Sequence, residues 1–277
     1  MTLLSILCLL AIQDIFSQQN VNATQLALPK IKVVPIEDTQ LDRQYELYIK
    51  LPENYSDTSD IKHPVIYYTD AMWHVEMLSG SAEYMLENTI LVGISWQLDI
   101  NKELLEERGA HVSRYRDYSM NESSNAAHQA KYQFGQAGNH LNFIRNTVIP
   151  YVESQYQTDS GSRTYFGYSL GGEFGAYILL NEPQTFRNYV LGSPSIRGEV
   201  PTLMEYNQNA PSSLKANVLI SYGSEEKEAG EEIEKFIALL RGRKDTSLSL
   251  EPIVVEGSHQ TAFPRTAVRS MDWLSKM

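Results

Sequence analysis

The stretch Arg163-Thr-Tyr-Phe-Gly-Tyr-Ser-Leu-Gly-Gly172 constrains this chain more than any other. Thr164, Tyr165 and Phe166 are β-branched or aromatic and read as a short strand. A Gly-x-Ser-x-Gly turn follows, and Glu173-Phe-Gly-Ala-Tyr-Ile-Leu-Leu180 reads as a helix. Strand, tight turn and helix together make a nucleophile elbow, in which the serine hydroxyl stands exposed above a sheet. Gly167 and Gly171 flank the turn, where a Cβ would obstruct neighbouring backbone. The pattern alone also occurs by chance in ordinary turns. The strand before it and the helix after it make Ser169 the candidate nucleophile.

The rest of the chain supplies a sheet for such an elbow. Ile31–Ile36 and Gln44–Leu51 alternate apolar and polar residues, as half-buried antiparallel strands do. Val65–Thr69 and Thr89–Ile94 are continuous apolar runs, with a helix expected over 75–87 between them. Tyr189–Gly192, Asn217–Tyr222 and Leu250–Val255 add three more strands. Helices are expected over 138–155, with a bend at Pro150, over 226–242, and at the end of the chain to about Trp273. Apolar strands alternating with helices indicate a mostly parallel sheet covered on both faces. Two antiparallel strands followed by β-α repeats around a central Gly-x-Ser-x-Gly is the α/β-hydrolase plan. Residues 97–137 interrupt that rhythm as a long polar insertion, and long connections of this kind are usually functional or disordered.

At 277 residues the chain is long enough for one large domain, expected here over 19–277. A net charge of −11 argues against nucleic-acid partners and anionic membrane surfaces, which reward basic patches. Leu3–Ile12 is apolar but too short to span a bilayer, and polar residues with a small Ser17 follow. Residues 1–18 therefore read as a signal peptide. The single cysteine, Cys8, lies within it, so the mature chain would be cysteine-free and periplasmic or secreted, with no integral membrane segment.

A serine hydroxyl needs an adjacent base, and the base needs an orienting acid. In this fold the three follow the chain order Ser, acid, His. Of six histidines only His259 lies after Ser169, just past the last strand. No aspartate occurs between Ser169 and Lys244, so within that span the acid is a glutamate. Glu225 and Glu226 both sit in the loop after strand 217–222, where either also suits a helix N-terminus. The oxyanion of a tetrahedral intermediate needs two backbone N–H donors. Leu170 supplies one as the residue after the nucleophile, and Met72, with Ala71 as the alternative, supplies the other from the loop after strand 65–69. Asp70 precedes the serine and reads as a loop-shaping residue. No His/Cys/Asp cluster has metal-ligand spacing, so no cofactor is implied.

These residues resemble the putative esterase family, which includes siderophore esterases, feruloyl and acetyl-xylan esterases, S-formylglutathione hydrolase and mycolyltransferases. The resemblance covers most of 40–277. It is carried by His63-Pro-Val-Ile-Tyr-Tyr-Thr-Asp70, Leu91–Ile94, Arg114-Tyr-Arg-Asp-Tyr118, Phe143–Tyr151, the elbow and Gly192-Ser-Pro-Ser195. The family's Gly-x-x-Glu spacing falls on Gly223 to Glu226 and favours Glu226 as the acid. Its Asp-Gly oxyanion loop is Asp70-Ala71 here. The Arg-x-Arg-Asp-Tyr segment is similar to bacterial siderophore esterases, whose anionic substrates Arg114 and Arg116 would meet with forked hydrogen bonds. The alternative is that Arg116 and Asp117 anchor the insertion. Trp96 is expected either to wall an aromatic acyl group or to pack. The resemblance implies a serine carboxylic-ester hydrolase for a small-molecule ester, a siderophore-type lactone first and a carbohydrate acyl ester second. Acyl transfer and a non-catalytic binding protein of the same fold are the alternatives.

Overall fold

A computed structural model describes residues 30–277, so the signal-peptide reading of 1–18 lies outside the described residues. The strands are β1 (Ile31–Asp38), β2 (Arg43–Lys50), β3 (His63–Tyr68), β4 (Ile90–Ile94), β5 (Thr158–Tyr168), β6 (Asn188–Gly192), β7 (Asn217–Gly223) and β8 (Ser249–Val255). They form one sheet in the order β1-β2-β4-β3-β5-β6-β7-β8. The pairs β1/β2 and β2/β4 are antiparallel. From β4 onward every pair is parallel. This is the α/β-hydrolase fold expected from the sequence.

Strand alternation divides the core into two layers. On β3, Val65 and Tyr67 face one layer while Ile66 and Tyr68 face the other. The smaller layer is covered by α1 (Ala71–Met85), through Leu78 and Ala82, and by α10 (His259–Leu274), through Ala267, Met271 and Trp273. The larger layer packs under α5 (Ala137–Phe143), α6 (Ile149–Gln155), α7 (Leu170–Asn181) and α9 (Lys227–Gly242). In α9 the stripe Ile233, Phe236, Ile237 and Leu240 is buried, each side chain contributing about 1.5–3 kcal/mol of transfer free energy. Parallel pairing brings the carboxyl ends of β3, β5, β6, β7 and β8 to one rim, where ligand crevices of open α/β sheets form.

Two local readings of the sequence are corrected by the structure, and one helix is added. The insertion 97–137 is not irregular: it folds as α2 (Lys102–Arg108), a 3₁₀ turn (Ala110–Ser113), α3 (Arg114–Asp117) and α4 (Ala126–Tyr132). These pieces are too short for a helical period to show, but Asn101 and Asn125 cap two of them through side-chain acceptors. The bend expected at Pro150 is a π turn over Ile144–Val148 that joins α5 to α6. Pro150 has no N–H to close the ladder, so the wide turn lies just before it. α8 (Val200–Asn209) was not foreseen, and only Leu203 of it is buried.

Candidate active site

Ser169 directly follows β5 and caps α7, with φ 60° and ψ −120°, a conformation costly for a residue with a Cβ. Its N–H donates to Gly192 O (2.9 Å), and its carbonyl accepts from Ser195 (3.0 Å) and Glu173 (3.0 Å). The two flanking glycines are steric requirements. A Cβ on Gly167 would lie 2.1 Å from Gly171 O, and one on Gly171 would lie 2.4 Å from Thr69 Oγ1. The strained backbone holds the Ser169 hydroxyl above the sheet rim.

His259 is the first residue of α10, whose start is fixed by a capping box between Ser258 and Thr261. Its Nε2 lies 3.0 Å from Ser169 Oγ and its Nδ1 2.6 Å from Glu226 Oε1. Glu226 precedes α9, and its other oxygen accepts from Gly223 N–H (2.7 Å) and Ser193 Oγ (2.8 Å). Burial alone would raise the Glu226 pKa, but the hydrogen bonds from His259, Gly223 and Ser193 outweigh it and hold the carboxyl below its ordinary value. Tyr168 donates to the His259 carbonyl (2.7 Å) and fixes the backbone that carries the imidazole. Ser195 Oγ stands 3.1 Å from Ser169 Oγ. Glu225, the other candidate acid, is exposed at the surface.

The donors expected for an oxyanion are free. Leu170 N–H has no acceptor among the described residues. In α1, Trp73 and His74 N–H both donate to Asp70 O, while Ala71 and Met72 N–H have no acceptor among the described residues. Both alternatives for the second donor therefore stand at the first turn of α1, unpaired as first-turn N–H groups are.

A cavity of about 420 Å³ opens beside Ser169, lined by Trp73, His74, Arg114, Tyr168, His259, Gln260 and Phe263. Asp70 shapes its wall. It is fully buried at φ 57° and accepts from Trp96 Nε1 (2.7 Å) and Arg114 Nη2 (3.0 Å). Arg114 thus reaches the cavity with its charge already paired, its Nε 2.7 Å from Asp70 Oδ1 and its guanidinium 4.8 Å from the Trp73 ring centroid. Arg116 does not reach this cavity. Its guanidinium holds Asp117 (2.7 Å) and Gln97 (2.7 Å). Asp117 in turn accepts from Tyr45 on β2, so the pair anchors the insertion to the sheet. Trp96 is buried behind Trp73 in an edge-on contact and is packing rather than cavity wall. The exposed aromatic at the mouth is Trp73, 49% accessible. Trp73, His74, Gln260 and Phe263 were not singled out in the sequence. Phe263 had a legible signal, lying one helical turn after His259.

The family model described as "Putative esterase" matches residues 39–247. The chain is 27% identical over 195 residues to the ferri-bacillibactin esterase BesA of Bacillus subtilis, covering 69% of this chain and 67% of the relative. Among solved structures, the BES protein of Bacillus cereus superposes with a TM-score of 0.74 at 21% identity, over 91% of this chain and 98% of that one. The enterobactin hydrolase IroE in complex with DFP superposes with a TM-score of 0.65 at 19% identity, over 89% and 95%. With its elbow, its sheet order and this match, the chain belongs to the Putative esterase family and is a serine esterase of the α/β-hydrolase fold.

Proposed function

We propose that this esterase hydrolyses a siderophore-type lactone, or a similar ester, through an acyl-enzyme on Ser169. Ser169 Oγ attacks the ester carbonyl while His259 Nε2 takes its proton, then returns it to the departing alkoxide. A water repeats the sequence against the acyl-enzyme. Glu226 holds the imidazole with Nδ1 protonated and stabilises the imidazolium that forms. Leu170 N–H and Met72 N–H meet the oxyanion. The observation that carries this reading is the unbroken row Ser169 Oγ, His259, Glu226, at 3.0 and 2.6 Å.

The siderophore part is supported by relatives named for ferri-bacillibactin and enterobactin. Trp73 and Phe263 at the cavity suit an aromatic acyl group, as such esters carry, and a feruloyl-type ester would profit equally. Residues 19–277 would be the working domain, released into the periplasm or outside the cell after loss of a leader. The test is turnover of the purified chain on ferric and iron-free enterobactin-type trilactones beside feruloyl and short nitrophenyl esters. A kcat/KM at least tenfold higher on a trilactone is expected. Hydrolysis confined to feruloyl or nitrophenyl esters would keep the triad and discard the siderophore.

A further inference from the structure

His74 lines the cavity beside Ser169 and takes no part in the proton transfers above. Its ring is clamped, stacked on Phe263 with centroids 4.5 Å apart and edge-on to Phe166. Nδ1 lies 3.0 Å from Thr69 O. A carbonyl only accepts, so Nδ1 carries the hydrogen and, in the neutral ring, Nε2 is left with a lone pair. Burial, which disfavours the imidazolium, holds the pKa below its ordinary value, and the nearby Arg114 charge acts the same way. Asp70 and the Thr69 carbonyl pull in the opposite direction without prevailing. Nε2 has no hydrogen-bond partner among the described residues. His74 is 5% exposed and lines the cavity, and Nε2 is its unpaired nitrogen there. Of the other polar lining groups, Gln260 carries both a donor and an acceptor on a flexible chain. Arg114 can only donate, and His259 Nε2 faces Ser169.

We infer that His74 is a specificity residue whose Nε2 accepts a hydrogen bond from a hydroxyl or amide N–H carried by the acyl part of the substrate. This rests on the ester-hydrolase reading of the cavity and adds the chemical class of ester it takes. Esters bearing such a donor bind with the acceptor satisfied. Analogues with the donor capped leave a buried acceptor unpaired, which costs on the order of tenfold in affinity.

Binding in Ser169→Ala, where hydrolysis is removed, tests this without depending on turnover. The probes are methyl 2-, 3- and 4-hydroxybenzoate and the three matching methoxybenzoates, titrated against the fluorescence of the exposed Trp73. At least one phenol is expected to bind about tenfold more tightly than its methyl ether. In Ser169→Ala with His74→Phe, which keeps a stacking ring, that margin falls below about twofold while the ether's affinity is retained. His74→Leu gives the same collapse and decides the matter if the Phe variant does not fold. Equal binding within every pair, no binding of any probe, or a margin that survives in the Phe or Leu variant overturns the inference. A wild-type protein that turns over no ester would instead overturn the hydrolase reading, and the two failures are seen in separate experiments.

Discussion

Glu226 and Glu225 are adjacent in sequence and opposite in circumstance. The first is half-buried, accepts three hydrogen bonds and is held anionic; the second is exposed. Glu226→Gln removes the charge that stabilises the imidazolium and favours the wrong tautomer of His259. It is expected to lower kcat by about 10³–10⁴, with KM little changed. Glu225→Gln is expected to change kcat less than about twofold. Steady-state kinetics on a nitrophenyl ester check both, and a larger loss at Glu225 would reverse the assignment. The same scale separates the two arginines of the insertion. Two residues apart in one short motif, Arg114 turns to Asp70 at the cavity and Arg116 to Asp117 at the sheet. Both guanidinium groups are paired with buried carboxylates, and spacing in sequence does not say which of the two pairs lies at the cavity.

α7 carries both the elbow and an anomaly. Its fourth residue, Glu173, is buried, and among the described residues its carboxyl group accepts only a long contact from Met120 N–H (3.4 Å). Burial, reinforced by the charge of Glu199, pushes its pKa from the ordinary 4.5 to about 8. The folded state thus holds this proton more tightly than the unfolded chain does. Its contribution to stability is fully present below pH 4.5 and is lost as pH rises towards 8. Glu173→Gln keeps the shape without the ionisation. It is expected to raise Tm at pH 8.5 relative to wild type and leave it nearly unchanged at pH 4.5, a difference on the order of a few kcal/mol. Calorimetry at the two pH values measures this. A gain at pH 4.5 equal to that at pH 8.5 would show that ionisation is not the cause.

At the scale of the molecule, the strands and long helices were legible because their patterns are long compared with the period that defines them. The stripe of α9 and the apolar runs of β3, β4 and β7 are examples. The insertion was opaque because four- to seven-residue helices show less than two turns of pattern. Within the candidate site, Ser169 and His259 were readable from chain order, since fold topology brings the ends of successive parallel strands to one rim. Glu226 was separable from Glu225 only by resemblance, because a one-residue step around a loop decides which carboxylate points inward. The cavity wall was the least legible part. Trp73 and His74 lie in the first turn of α1, which starts four residues earlier than its apolar pattern suggests because Asp70, in a left-handed conformation, begins the helix directly off β3. Their roles depend on what α10 places opposite them, and that is a long-range fact.

If Ser169 is the residue acylated in turnover, a serine-directed reagent labels it and no other residue. Intact-mass analysis of the folded protein after reaction with a fluorophosphonate, followed by peptide mapping, tests it most directly. One adduct per chain is expected, located on Ser169, and none in Ser169→Ala. An unlabelled folded protein, or an adduct on Ser195 that persists in Ser169→Ala, would contradict it.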